Sequence, residues 1–158
     1  MKKKGFIFSF LLIILSSNIS AQKSKVNWIT FAQLEDSLAF KPKKIFIYFY
    51  AEWCVYCKKM NRVTFKNNEV IHILNANYYA VKMDAASKDS IIFDGITYSN
   101  KQLGKNRRPT HEIPLLLAKR IGKPFSLPVN MILDEKFRIT KRYFNYISAD
   151  EMIKLLNK

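Results

Sequence analysis

The chain has 158 residues, 49% hydrophobic and 14% aromatic, which excludes a disordered or low-complexity polypeptide and fits one core-forming domain. Lys and Arg number 27 against 12 Asp and Glu, a formal charge of +15. The 2 cysteines, Cys54 and Cys57, are too few for a disulfide framework, so any intrachain disulfide joins this one pair.

Residues 1–21 read as a secretory signal peptide. Lys2, Lys3 and Lys4 are the basic start, Phe6 to Leu15 the apolar run, and a small polar stretch ends at Ala21. That apolar run spans about 15 Å as a helix, half a bilayer core, so no stable membrane insertion is expected after cleavage. Residues 22–158 are therefore expected to work in the periplasm or outside the cell, where thiols meet oxidising conditions.

Thr30 and Gln33 form a capping box for a helix of roughly ten residues, ended by Lys41-Pro42. Ile45 to Tyr50 is an unbroken β-branched and aromatic run, the pattern of a central strand covered on both faces. After Ala51-Glu52-Trp53, a helix is expected from Cys54 to about Phe65, and a second helical piece from Glu69 to Asn75. Tyr78 to Met83 reads as a strand. Two apolar runs around Asp94-Gly95 predict a hairpin. Ser99 to Pro109 is a polar, basic loop, and Thr110 is placed to cap a helix running to about Arg120, stopped by Gly122. Val129 to Leu133 and Phe137 to Phe144 read as strands, and the capping box at Ser148 and Glu151 opens a last helix through Leu156. The early β-α-β half predicts parallel pairing and the late β-β-α half an antiparallel hairpin, an α/β architecture with a central mixed sheet flanked by helices.

The chemistry sits where the buried strand turns into a helix. Two cysteines separated by two residues at a helix start close a small disulfide or open to a dithiol with little movement. The first lies among free backbone N–H groups at the positive helix end, which favours its thiolate, the attacking species in exchange. Cys54 is then the nucleophile and Cys57 the group that resolves the mixed disulfide. A static disulfide, half of a zinc site completed by His72 and His111, and accidental buried thiols are the competing readings; the distance between the two histidines in sequence disfavours zinc, and the Trp-Cys start of an otherwise cysteine-free chain disfavours the last.

The segment Phe49 to Lys58, FYAEWCVYCK, resembles the active-site segment of the thioredoxin superfamily. With Lys59 to Phe65 it is similar to the C-terminal thioredoxin-like domain of transmembrane thiol:disulfide reductases, and Leu127-Pro128 before a strand resembles that family's cis-proline loop. The resemblance covers Thr30 to Lys158. It implies a thioredoxin-like fold, a redox-active Cys54–Cys57 disulfide with no other cofactor, and client contacts through Trp53, Leu127 and Pro128. It also implies protein disulfide or dithiol substrates and favours reduction fed by a membrane electron donor, with a disulfide oxidase or isomerase as the alternative. A non-enzymatic client-binding module is the reading from a different class.

Departures from the family pattern are specific. Many thioredoxins carry a buried acid six residues before the first cysteine, and here Tyr48 holds that place. Glu52 is the neighbouring candidate for proton transfer, set against a plain solvated turn carboxylate. Val55-Tyr56 replaces the usual Gly-Pro, and residues 85–108 form an insert before the proline. His111 reads as a surface histidine in a helix's first turn, and His72 as structural. The dispersed basic residues read as a solvated face, with no nucleic-acid signature.

Overall fold

The computed structural model describes residues 25–158, so the leader expected at 1–21 lies outside the described residues. The elements are β1 (Trp28–Ile29), α1 (Phe31–Phe40), β2 (Lys44–Tyr50), α2 (Val55–Arg62), a 3-10 turn (Thr64–Lys66) and α3 (Asn68–Asn77). They continue with β3 (Tyr78–Asp84), β4 (Ile91–Phe93), β5 (Ile96–Tyr98), α4 (Glu112–Leu117), β6 (Val129–Leu133), β7 (Ile139–Tyr143) and α5 (Ala149–Leu156). Five strands form one sheet in the order β1-β3-β2-β6-β7. β2 runs parallel to β3 and antiparallel to β6, and β6 runs antiparallel to β7.

The unbroken apolar run of β2 follows from its place. Ile45 to Phe49 and Val129 to Leu133 are all buried, because these two central strands have a helical layer on each face. Phe46 and Tyr48 point into a core with Met60 of α2, Val70 and Leu74 of α3, and Met152 and Leu156 of α5. Ile45, Ile47 and Phe49 point the other way, onto Phe31 and Leu34 of α1 and Ile113 of α4. Local chemistry sets the helix starts. Thr30 and Ser148 complete reciprocal capping boxes with Gln33 and Glu151, and the Asn67 side chain accepts from the Glu69 and Val70 N–H groups.

β4 and β5 form the expected hairpin, in the register Ile91↔Tyr98 and Phe93↔Ile96. Asp94 and Gly95 both have positive φ, 52° and 68°, the backbone a tight two-residue hairpin turn requires and the reason for Asp-Gly there. Phe93 fixes the hairpin to the domain, with its ring 5.3 Å from Phe31 and 5.2 Å from Phe137, centre to centre.

Three expectations about elements are corrected, and one strand, β1, has no counterpart among them. β1 has no local signal, since its two residues become a strand only by pairing with Ala80 and Val81 of β3. The helix expected from Cys54 to Phe65 breaks at Val63, where the chain tightens into the 3-10 turn and Thr64 Oγ1 donates to the Ile147 carbonyl at 2.7 Å. The strand expected from Phe137 begins at Ile139, because Phe137 sits at positive φ (60°) in a turn closed on Asp134. The helix expected from Thr110 to Arg120 covers Glu112–Leu117 and is capped by His111. Thr110 N–H is already donated to Gln102 Oε1 at 3.1 Å, and Arg120 is drawn into a bridge with Lys123.

Candidate active site at the Cys54–Cys57 turn

β2 ends at Tyr50 and the chain reverses through Ala51-Glu52-Trp53, with Cys54 N–H donating to the Ala51 carbonyl at 3.0 Å. This leaves Cys54 in an extended conformation as the N-cap of α2, where its Sγ accepts the Cys57 N–H at 3.2 Å. A side chain that caps a helix start faces the unpaired N–H groups of the first turn, and those groups stabilise negative charge on its sulfur. The two cysteines are joined in a disulfide, with Cα atoms 5.2 Å apart. Cys57 is fully enclosed and Cys54 keeps 5% exposure, the more accessible of the two.

β6 begins at Val129 paired with Phe49, which sets Leu127 and Pro128 beside the point where β2 leaves the sheet. The Leu127-Pro128 peptide bond is cis. Pro128 is buried, and Leu127 packs partly buried against the core that contains both cysteines. Arg120 holds the approach to this loop. Its Nη2 donates to the Pro124 carbonyl at 2.6 Å and to Ser126 Oγ at 2.8 Å, and its guanidinium lies 3.9 Å from the Phe144 ring centre.

Beneath the pair, Tyr48 fills the position where many thioredoxins have an acid. Its hydroxyl donates to the Cys57 carbonyl at 3.2 Å, and burial holds its ionisation far above the ordinary tyrosine range. The group beside Tyr48 in the sheet is Lys82, paired across β2 and β3. Lys82 Nζ donates to Asn61 Oδ1 at 3.0 Å and lies 4.6 Å from the Tyr50 ring centre and 5.8 Å from that of Tyr48. Desolvation lowers its pKa, and Glu52 opposes that shift through its charge. Lys82 was not singled out from the sequence. The signal was present, as the one charged residue inside the apolar run Tyr78 to Met83.

The remaining candidates are spread around this centre. Glu52 is exposed on the turn, close enough for its charge to act on Lys82 and Tyr50. Trp53 is 46% exposed, and the Arg108 guanidinium from the insert lies 4.3 Å from its ring centre. His111 is not at the surface as expected. Its ring is wholly buried, Nδ1 accepts the Ile113 N–H at 3.2 Å, and Nε2 meets the Asp89 carbonyl at 3.2 Å. His72 faces solvent on α3, because Val70, Ile71, Ile73 and Leu74 take the buried face. Among the described residues no group of three or more His, Cys, Asp and Glu is placed to hold a metal ion.

The thioredoxin-like domain family matches residues 33–158. The chain belongs to that family. No curated protein matches the sequence. Among solved structures, the DsbD C-terminal domain of Neisseria meningitidis in its reduced form is 19% identical, with a TM-score of 0.51, over 80% of this chain and 90% of that one. A thioredoxin from Thermus thermophilus is 18% identical, with a TM-score of 0.57, over 84% and 85%. A putative disulphide-isomerase from Bacteroides thetaiotaomicron is 17% identical, with a TM-score of 0.57, over 86% and 93%. At these identities the likeness is one of fold. A thioredoxin-like domain with its Cys-x-x-Cys disulfide at the start of α2 is built for thiol–disulfide redox chemistry.

Proposed function

We propose that this thioredoxin-like domain acts outside the cytoplasm as a thiol:disulfide oxidoreductase that reduces protein disulfides, needing no cofactor beyond the Cys54–Cys57 pair. The observation that carries the reading is the asymmetry of the pair, in which Cys54 is a helix N-cap that keeps 5% exposure and Cys57 is fully enclosed. In the reduced protein the Cys54 thiolate attacks one sulfur of a client disulfide. A Cys54–client disulfide forms and the other client sulfur leaves as a thiolate, which takes up a proton. Cys57 then loses its proton and attacks Cys54 Sγ, which re-forms the intramolecular disulfide and frees the second client thiol. Two electrons pass to the client, and a dithiol donor returns them; we assign that role to a membrane reductase. Trp53, next to Cys54 in the chain, and Leu127 and Pro128 on the loop before β6 contact the client chain, and Glu52 is the exposed carboxylate nearest in sequence for proton exchange.

The direction rests on the resemblance of Phe49 to Lys58 to electron-delivering domains. Oxidation is the second reading, and one observation favours it. The helix-start N–H groups around Cys54 stabilise the thiolate, hence the reduced form, which makes a pair more oxidising. Equilibration of the pair with glutathione decides between them. A reduction potential near about −270 mV is the expected result for a reductant, and one near about −120 mV overturns the direction.

No helix among the described residues is long and apolar enough to cross a membrane. Export rests on the leader read at residues 1–21.

A further inference from the structure

The insert at residues 85–108 is tied to the active-site turn. Ala85 N–H donates to the Tyr50 carbonyl at 2.7 Å, just ahead of the cysteine turn, and His111 N–H, three residues past the insert, donates to the Ala85 carbonyl at 2.8 Å, so the chain returns from the insert to its starting point at the end of β2. Between them the basic loop after the hairpin is held in one shape. Asn100 is buried and donates from Nδ2 to the Ser87 carbonyl at 3.0 Å, and Gln102 Oε1 closes the loop on Thr110 N–H. Lys101 pairs with Glu112 at 2.6 Å, which in turn accepts the Ser99 N–H at 2.8 Å. A loop anchored this way presents its outer side chains at fixed positions. The one it presents to the cysteine turn is Arg108, stacked on Trp53.

Charge around that contact is one-sided. Lys105, Arg107 and Arg108 are exposed, and the ion pairs among the described residues are Lys101–Glu112 and Arg138–Asp134, so these three cations have no acidic partner there. On the α2 side, Val55 is 74% and Tyr56 60% exposed, with Lys58 and Lys59 following. The one acid on the turn is Glu52. The Arg108 guanidinium over the Trp53 ring has no hydrogen bond or ion pair to another described residue, so its N–H groups remain available to a carboxylate.

We propose that the insert is a client-selecting arm. Arg108, positioned on Trp53 and seconded by Arg107, binds a carboxylate flanking the reactive cysteine of the client, so clients with Asp or Glu beside that cysteine exchange fastest. The inference rests on the exchange reading above, with the electron and proton balance given there. Rim charges act mainly on association and on its salt dependence, and each exposed pair changes the rate by up to about fivefold.

The test uses two disulfide-linked peptides that differ only in the residues flanking the cysteine, Glu in one and Lys in the other, together with the neutral bis(2-hydroxyethyl) disulfide. Second-order rates are measured with the reduced full chain, with Arg108→Gln, with Arg107→Gln/Arg108→Gln, and with Lys136→Gln as a distant basic control. The expected result is a preference for the Glu peptide of about fivefold or more. It shrinks with added salt, collapses in the double variant and persists in Lys136→Gln. Equal rates for the two peptides in the wild type, with the neutral disulfide still reduced, overturn the selecting arm and leave the exchange reading standing. A preference that survives in the double variant overturns it as well. Failure to reduce even the neutral disulfide overturns the exchange reading itself, and the arm with it.

Discussion

Tyr48 replaces a buried acid with a group that does not ionise near neutral pH, and its hydroxyl is spent on the Cys57 carbonyl. Tyr48→Phe keeps the ring in the core and deletes one buried hydrogen bond, so it is expected to lower unfolding stability by about 1 kcal/mol in urea titration. Lys82 is the reverse case, a charge pressed among rings. Its pKa lies below the ordinary 10.5 because of burial. Between that lowered value and 10.5 the unfolded chain binds a proton that the folded chain does not, so folding becomes more favourable as pH rises through that window. At neutral pH the buried charge opposes folding, while the Tyr50 ring and Asn61 partly offset it. Lys82→Met is therefore expected to unfold at a urea midpoint equal to or above that of the wild type, within about 1 kcal/mol. A clear fall in midpoint contradicts that balance.

At the scale of elements, the hairpin turn is the sharpest local requirement. Gly95 sits at φ 68° with open space around it, so a side chain there meets no clash and pays only for the backbone conformation. Gly95→Val is expected to destabilise the β4–β5 hairpin by about 1–2 kcal/mol. Amide hydrogen exchange reports this as faster exchange across Ile91 to Tyr98, with β2 and β6 unchanged. Elements like this one were legible in the sequence because their signals are local. The Asp94-Gly95 turn, the boxes at Thr30 and Ser148, and the apolar run of β2 each carry their physics within a few residues. What was illegible depends on contacts distant in sequence. β1 exists only as a partner of β3, and α4 starts where the Thr110 N–H is taken by Gln102 rather than where Thr110 suggests a cap. The site divides the same way. Cys54 and Cys57 are readable from spacing and position, whereas the Arg108–Trp53 stack joins a loop to a turn across the fold, and no local pattern announces it.

For the whole molecule, the buried polar anchor of the insert predicts how the protein meets acid. The Ile113 N–H aimed at Nδ1 and the Asp89 carbonyl at Nε2 fix His111 as the neutral Nε2–H tautomer, and burial lowers its pKa below the ordinary 6.5. From 6.5 down to that lowered value the unfolded chain gains a proton that the folded chain refuses, so stability falls as pH drops through this window. Glu112, Asp134 and Glu151 have pKa values lowered by hydrogen bonds to Lys101, to the Arg138 backbone and to the Ser148 backbone, respectively. Their contribution is present at higher pH and is lost as pH falls below about 4. Two separate acid losses are therefore expected in urea midpoints measured from pH 7 to pH 3. His111→Asn, which retains an N-cap acceptor but does not titrate, is expected to abolish the first and keep the second. A first loss that persists in His111→Asn assigns it to another group.

The most direct measurement is insulin-disulfide reduction by the pre-reduced protein, compared between wild type and Cys54→Ser. Reduction by the wild type of about one disulfide per pre-reduced molecule and its loss in Cys54→Ser, with the variant folded by circular dichroism, is the result expected of a nucleophile at the start of α2. Full activity in Cys54→Ser contradicts the assignment of the reaction to this pair.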